Sequence, residues 1–211
     1  MKFERARTIE QIQERKKEIL KACGKLYDES GIDGVHFKAV SEITSFGRST
    51  IYTYYKTKEE ILLDLFLEDI KTWSSDVNSI LESHKTLSKE DYCHELTNTF
   101  INNTRMLQLM SVLYSILEKN CSLEKLTSFK SELMSLRRPL ITSIYKYFPD
   151  ADDDSKQTFL YNSSCFVSGL YPTTNISQKQ KDAIKNSGIE YHLADFGDMC
   201  YKGLLALASD L

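Results

Sequence analysis

The chain contains few of the residues that interrupt helices. Three prolines and eight glycines occur among its 211 residues, and these two residue types mark most turns and breaks. Their scarcity favours helices over strands joined by tight turns. With 41% hydrophobic and 27% charged residues, the composition is that of an ordinary globular protein, long enough to bury a substantial core.

The sequence also lacks the motifs of metal, redox and phosphate chemistry. Its five cysteines are odd in number and form no CxxC pair, which favours reduced thiols in a cytosol. Its four histidines form no HExxH motif or His/Cys cluster, and no glycine-rich phosphate loop is present. We therefore predict no metal site, no cofactor and no catalytic residues.

No stretch of the sequence resembles a membrane span. The most apolar run, ILLDLFL at residues 61–67, is short and carries Asp64. The first twenty residues, MKFERARTIEQIQERKKEIL, have no apolar core of the kind found in signal peptides. We expect a soluble, cytoplasmic protein.

The two ends of the chain differ in charge. Residues 1–58 hold twelve Lys and Arg against eight Asp and Glu, whereas the remainder holds fifteen against twenty-two. A modestly basic head on an acidic body suggests an anionic partner at one end only.

Apolar residues recur at helical spacing along nearly the whole chain, which predicts an all-α fold. Caps and breakers place the helix ends, with Gly31 as the stop of the first helix and Pro139 as a kink or a start-stop. Predicted helices cover residues 8–30, 37–44, 48–55, 58 to the low 80s, 88–101, 104–113 and 123–148. PDADDD at 149–154 is a boundary whose acids favour the N-terminus of the next helix, which contains the apolar stretch 159–171. Residues 171–180 are predicted as a loop, followed by helices at 181–188 and 194–208.

Two short helices behind a longer one form a helix-turn-helix arrangement, in residues 37–55. Neither short helix would persist alone, so both must be stabilised by packing, and their outer faces are left for a partner. On the second, Ile51, Tyr52 and Tyr55 share a face that we expect to point inward. The residues expected to face outward are Arg48, Ser49, Thr50, Thr53 and Tyr54, whose compact polar groups suit a DNA major groove.

Residues 9–67 resemble the DNA-binding domain of the TetR family of bacterial transcriptional regulators. The resemblance is carried by EILKACGKLYDESGIDG and by FKAVSEITSFGRSTIYTYYKTKEEILLDLF, in which the TIY and KEEIL strings fall in register. The chain departs from the usual pattern at His36, Ser41, Ser45 and Gly47, where the family has a cap, a small alanine, a turn glycine and a second cap.

The resemblance implies a DNA-binding domain at residues 1–57 and a helical ligand-binding and dimerisation domain at 58–211. It implies contacts with a double-stranded DNA operator, to the backbone or to bases, from Lys38, Arg48, Ser49, Thr50, Tyr52, Thr53, Tyr54 and Lys58. The basic residues Lys2, Arg5 and Arg7 could extend along the duplex, although the interspersed acids favour an ordinary solvated terminus.

For the larger part, the resemblance implies a homodimer, a four-helix interface and a pocket for a small hydrophobic or amphipathic inducer. Inducer binding would tilt the helix that begins at Lys58 and change the spacing of the two reading helices. Candidate pocket residues are Trp73, Phe100, Met106, Met110, Tyr114, Phe129, Tyr145 and Phe166, although residues at this spacing are commonly plain core. Candidate interface residues are Phe159, Ser163, Val167, Leu170, Phe196, Cys200, Gly203, Leu204 and Leu207.

We therefore predict a ligand-responsive transcriptional regulator. Repression is the usual mode of action in the TetR family, so we expect a repressor. Two alternatives remain open. One is a helical protein-interaction module that no longer binds DNA, and the other is an enzyme.

Overall fold

The computed structural model describes residues 8–211, and within this range the chain forms helices and no strands. The predicted all-α class is confirmed. The basic residues Lys2, Arg5 and Arg7 lie outside the described residues. The α-helices are α1 (Ile9–Gly34), α2 (Phe37–Ile43), α3 (Arg48–Ile51), α4 (Lys58–Ser83), α5 (Lys89–Ile101), α6 (Thr104–Val112), α7 (Leu123–Leu136), α8 (Arg138–Tyr147), α9 (Asp153–Thr174), α10 (Gln178–Ser187) and α11 (Phe196–Leu207). A π-helical turn at Leu113–Leu117 and a 3-10 turn at Glu118–Asn120 follow α6.

Local signals account for most helix ends. The side chain of Ser88 accepts from the Asp91 N–H at the start of α5, and Asp152 caps α9 in the same way through Ser155. Pro139 lies in the first turn of α8, where its missing N–H costs nothing, so it separates α7 from α8 as predicted. Gly31 interrupts α1 with φ 63° and ψ −159°, a conformation that only glycine adopts readily, and the chain then resumes one helical turn.

Two predicted boundaries are wrong. The α-helical part of α3 ends at Ile51 instead of residue 55, and the chain continues as a turn to Tyr54. Residues 171–180 are not a loop, because α9 runs through Pro172 to Thr174 and α10 begins at Gln178. Packing of the buried Tyr171 ring against Phe196, with centroids 5.4 Å apart, outweighs the proline signal there.

The chain divides into two compact units. One contains the described residues up to Glu68 together with Val112–Leu133, and the other contains Asp69–Ser111 and Met134–Leu211. The sequence-based division at residues 57 and 58 is a functional one and stays a prediction. In the first unit α2 packs between α1 and α3, and in the second α11 packs against α5 and α9. None of the helices within residues 8–211 is long and apolar enough to cross a membrane.

Candidate nucleic-acid interface

The turn between α2 and α3 is held from beneath by apolar side chains and from the side by α1. Phe46, Ile51 and Tyr55 are 5%, 0% and 2% exposed. The backbone N–H and the hydroxyl of Ser45 both donate to the Glu18 carboxylate, the hydroxyl at 2.9 Å from Oε2. Ser45 stands where the TetR family usually has glycine. A glycine there could donate only its backbone N–H to Glu18, so the serine hydroxyl adds a second hydrogen bond to the turn.

The N-terminal caps of the two short helices differ. Nδ1 of His36 accepts from the Ala39 N–H at 3.1 Å, so a ring nitrogen replaces the usual hydroxyl at the start of α2. Gly47 precedes α3 and offers no side-chain cap. Gly47 therefore supplies no side-chain acceptor at the start of α3, and the Thr50 N–H bonds to the Gly47 carbonyl at 2.9 Å instead.

The outer face of α3 and its turn is polar. Arg48, Ser49 and Thr53 are exposed, whereas Thr50 and Tyr54 are half-buried. Lys38 of α2 is also exposed, and its ammonium lies 4.0 Å from the Glu42 carboxylate. The exposed surface of α2, α3 and the turn after it thus carries small hydroxyls and two cations.

The prediction that Tyr52 points inward is wrong, since 48% of this residue is exposed. Phe37 fills the inward position, and the Tyr52 ring packs against it edge-to-face, with ring centroids 4.5 Å apart. The Arg48 guanidinium lies 5.3 Å from the Tyr52 ring centroid and donates to its hydroxyl at 2.7 Å. One N–H of Arg48 is thereby used, and a guanidinium has five.

Lys58 opens α4, where we predict a phosphate contact, and the structure places it half-buried. Its ammonium donates to the Ile32 carbonyl at 3.1 Å, which ties the start of α4 to the end of α1. An ammonium carries three N–H donors, so a further acceptor can bind.

A buried carboxylate that the sequence analysis missed anchors the first turn of α4. Glu60 is 3% exposed and accepts from the Lys56 N–H at 2.7 Å. It also accepts from the Ser122 hydroxyl at 2.7 Å and the Ser122 N–H at 3.2 Å. Burial acts to raise the pKa of the Glu60 carboxyl, but hydrogen bonds from Lys56 and Ser122 outweigh it and hold the pKa below its ordinary value.

One helical turn further along, Asp64 makes a second set of contacts. Its Oδ2 accepts from the Tyr55 hydroxyl at 2.8 Å, and its Oδ1 pairs with the Lys125 ammonium. Burial, together with the Asp64 charge, raises the pKa of the Tyr55 phenol above its ordinary value. Asp64 interrupts the apolar run ILLDLFL. A charge inside such a run needs partners when it is buried, so this pattern could have predicted that Asp64 contacts polar groups such as those of Tyr55 and Lys125.

The candidate inducer residues separate into two groups. Trp73, Phe100, Met106 and Phe129 are buried, and Met110 and Phe166 are half-buried. The Trp73 indole stacks on Phe100 with centroids 5.4 Å apart and donates to the Thr99 hydroxyl at 2.9 Å.

For Tyr114 and Tyr145 the expectation of an interior position is wrong, since they are 66% and 39% exposed. Tyr114 lies in the π-helical turn, which shifts the helical face relative to α6. The ammonium of Lys130 lies 5.1 Å from the Tyr114 ring centroid, and that of Lys156 lies 4.8 Å from the Tyr145 centroid. Each ring therefore contacts a cation at the surface.

The predicted interface residues on α9 and α11 are largely used inside the chain. Five of them are buried in the single chain and so cannot supply its outer surface: Phe159, Ser163, Val167, Cys200 and Leu204. The other four, Leu170, Phe196, Gly203 and Leu207, are half-buried. A Cβ at Gly203 would lie 2.1 Å from the Phe166 ring, so this small residue allows α9 and α11 to approach within one chain. The exposed face of α9 carries Tyr161, Cys165 and Gly169 instead.

Sequence comparison finds a matching protein family and a curated relative, and both are described as transcriptional regulators or repressor-like proteins. Residues 67–209 match the family described as "Tetracyclin repressor-like, C-terminal domain". A curated relative, the uncharacterized HTH-type transcriptional regulator YhgD of Bacillus subtilis (strain 168), is 30% identical over 69 residues. That alignment spans 33% of this chain and 36% of the relative.

Solved structures share the fold. A putative TetR-family regulator from Mesorhizobium loti aligns with a TM-score of 0.53 at 13% identity, over 92% of this chain and 95% of that one. A TetR/AcrR-family regulator from Thermobifida fusca gives 0.53 at 17% identity, over 90% and 98%. The fatty acid degradation regulator FadR from Bacillus halodurans gives 0.51 at 13% identity, over 92% and 94%.

Proposed function

Since the chain belongs to the TetR family of transcriptional regulators, we propose that it is a ligand-responsive repressor that binds a near-palindromic operator as a homodimer through α3 and the turn after it. The observation that carries this proposal is the exposed polar face of α3 on a buried apolar base. Arg48, Ser49 and Thr53 point away from a support made of Phe46, Ile51 and Tyr55.

The chemistry of this face suits the major groove. An arginine can pair bidentately with guanine O6 and N7, and serine and threonine hydroxyls accept or donate to base edges and phosphates. Lys38 is exposed on the neighbouring helix and adds a cation for the backbone. Arg48 is pre-oriented by Tyr52, which reduces the side-chain entropy lost when it meets a base.

A homodimer is supported by the exposed stripe on α9. Tyr161, Cys165 and Gly169 recur every four residues and so share one helical face, and Tyr161 is 71% exposed. A second copy would cover this stripe with its own. Two reading helices separated by one turn of DNA, about 34 Å, would then contact the two halves of the operator.

A small hydrophobic or amphipathic inducer is supported by the buried aromatic and sulphur residues of the larger part. Trp73, Phe100 and Met106 offer apolar surface, and the Trp73–Thr99 hydrogen bond adds a polar point within it. An inducer that binds better to a state with weak operator affinity would release the DNA by shifting the population toward that state.

The test is fluorescence anisotropy with a DNA duplex taken from the promoter region of the gene that encodes this protein. We expect binding that weakens steeply with salt, and Arg48→Ala should weaken it about tenfold or more, because a bidentate pair contributes ~1–3 kcal/mol. Lys179→Ala on α10 removes an exposed positive charge elsewhere and serves as the matched control. Arg48→Lys keeps the charge but loses the fork, so it should also weaken binding.

Equal affinities for wild type, Arg48→Ala and Lys179→Ala would contradict the assigned face. A folded protein that binds no duplex would favour the interaction-module alternative.

A further inference from the structure

The segment between α9 and α11, residues 175–195, lies on the surface of the chain. None of these described residues is buried, and α10 forms the middle of the segment. Ser177 and Gln180 form a capping box at the start of α10, and Gly188 ends it with φ 71°. Helices in isolation need roughly 12–15 residues to persist in water, and α10 has 10. The single chain therefore does not bury α10 as so short a helix normally requires.

An apolar groove of about 320 Å³ lies on this segment and is open to the surface. Its apolar lining consists of Ile176, Ile184, Ile189, Tyr191 and Leu193. Lys181 and Lys185 also line it, and both are exposed. An exposed apolar surface rimmed by polar residues is typical of a protein–protein contact.

We propose that a second copy of this chain covers this α10 groove, with the acidic residues 149–154 of one copy placed against Lys181 and Lys185 of the other. The inference rests on the homodimer proposed above and extends its interface from α9 to α10.

The register follows from the exposed stripe of α9. Every fourth residue from 157 to 173 is exposed, and Cys165 is the middle one. In an antiparallel pair with its two-fold axis at Cys165, Tyr161 of one copy faces Gly169 of the other. Tyr161 is 71% exposed, and a Cβ at Gly169 would have no atom within 4 Å. A large ring thus meets an open position on both sides of the axis, so this face is complementary to itself.

The same register brings the acidic end of one copy to α10 of the other. From Cys165, α9 extends twelve residues back to Asp153 and nine residues forward to Thr174. At ~1.5 Å per residue these lengths are about 18 and about 14 Å, so the start of one α9 reaches about 4 Å beyond the end of the other. The segment that carries α10 begins there, at residue 175.

The two surfaces have opposite charges. Residues 149–154, PDADDD, contain four acids, and all four are exposed. Asp152 caps α9 through the Ser155 N–H, and the others add negative charge beside it. Opposite charges that face each other across an interface favour one partner and one register. Pro149, also exposed, supplies an apolar ring for the floor of the groove.

The test is sedimentation equilibrium of the full chain without DNA at ~0.05 M salt, where exposed charges are weakly screened. Lys181→Glu combined with Lys185→Glu should weaken the dimer about tenfold or more, because like charges would then face each other. Asp153→Lys and Asp154→Lys, added to the same chain, should recover most of this loss. At ~0.5 M salt the loss should shrink.

The matched control is Lys17→Glu combined with Lys21→Glu, two exposed lysines of α1 whose reversal changes the net charge by the same amount. This variant should dimerise as the wild type does, and circular dichroism checks that every variant is folded. A dimeric wild type that the α10 reversal weakens no more than the control does overturns the inference and leaves the homodimer standing. So does a four-residue exchange that recovers nothing. A wild type that stays monomeric removes the homodimer and this inference together.

Discussion

Replacing Ser122 by alanine tests whether the buried Glu60 carboxylate stabilises the compact unit that contains α1, α2 and α3. The Ser122 hydroxyl donates to Glu60 at 2.7 Å and accepts weakly from the Lys125 N–H at 3.4 Å, in the first turn of α7. The Ser122 backbone N–H and the Lys56 N–H remain as donors in the variant. One hydrogen bond to a charged group is therefore removed without exposing the carboxylate.

The expected loss in the free energy of unfolding is about 2 kcal/mol, since a hydrogen bond to a charged group contributes ~1.5–3 kcal/mol. For a chain of this length each kcal/mol shifts Tm by roughly 2–4 °C, so Tm should fall by about 4–8 °C. Circular dichroism at pH 7 measures this. Ser75→Ala, an exposed serine inside α4, is the control and should change Tm by less than about 2 °C.

The difference should depend on pH. Because the folded-state pKa of Glu60 lies below the ordinary value of 4.5, its ionised form stabilises the fold above that value. This stabilisation is lost as pH falls from about 4.5 through the folded-state pKa. The gap between wild type and Ser122→Ala should therefore narrow below pH ~4.5. Equal Tm values for wild type, Ser122→Ala and Ser75→Ala at pH 7 would refute the reasoning.

Three further predictions follow from glycine positions and from α9. Gly203→Ala should destabilise the fold by about 1–3 kcal/mol in urea unfolding, because its Cβ would meet Phe166, and Phe166→Leu should recover part of the loss. Gly31→Ala should cost about 1–3 kcal/mol because of its positive φ, although space around it is open, and thermal unfolding checks this. Cys165→Arg should lower the dimer fraction in light scattering without changing the circular dichroism spectrum, and an unchanged mass would remove the α9 stripe from the proposed interface.

Helix positions could largely be predicted from the sequence. Ser88, Asp152 and Pro139 act on backbone groups within four residues, so their effect is visible in the local sequence. The failure at residues 171–180 has the opposite cause. Pro172 signals a break, but Tyr171 gains a distant aromatic partner in Phe196 that keeps the helix intact.

The candidate DNA-binding face was predicted in part. Arg48, Ser49 and Thr53 are exposed as expected, since the spacing of Ile51 and Tyr55 decides which side is buried. Spacing alone placed Tyr52 on that buried side as well. Its exposure depends on Phe37, which comes from another helix and takes the inward position.

The sequence by itself determined where most helices lie, because capping and periodicity are properties of neighbouring residues, but it did not determine the ends of α3 and α9. Only the tertiary structure decided which polar groups meet. Glu60 and Ser122 lie 62 positions apart, and Asp64 and Lys125 lie 61 apart. Side-chain burial and ion pairing depend on which distant segments arrive at a residue, and no local pattern records that.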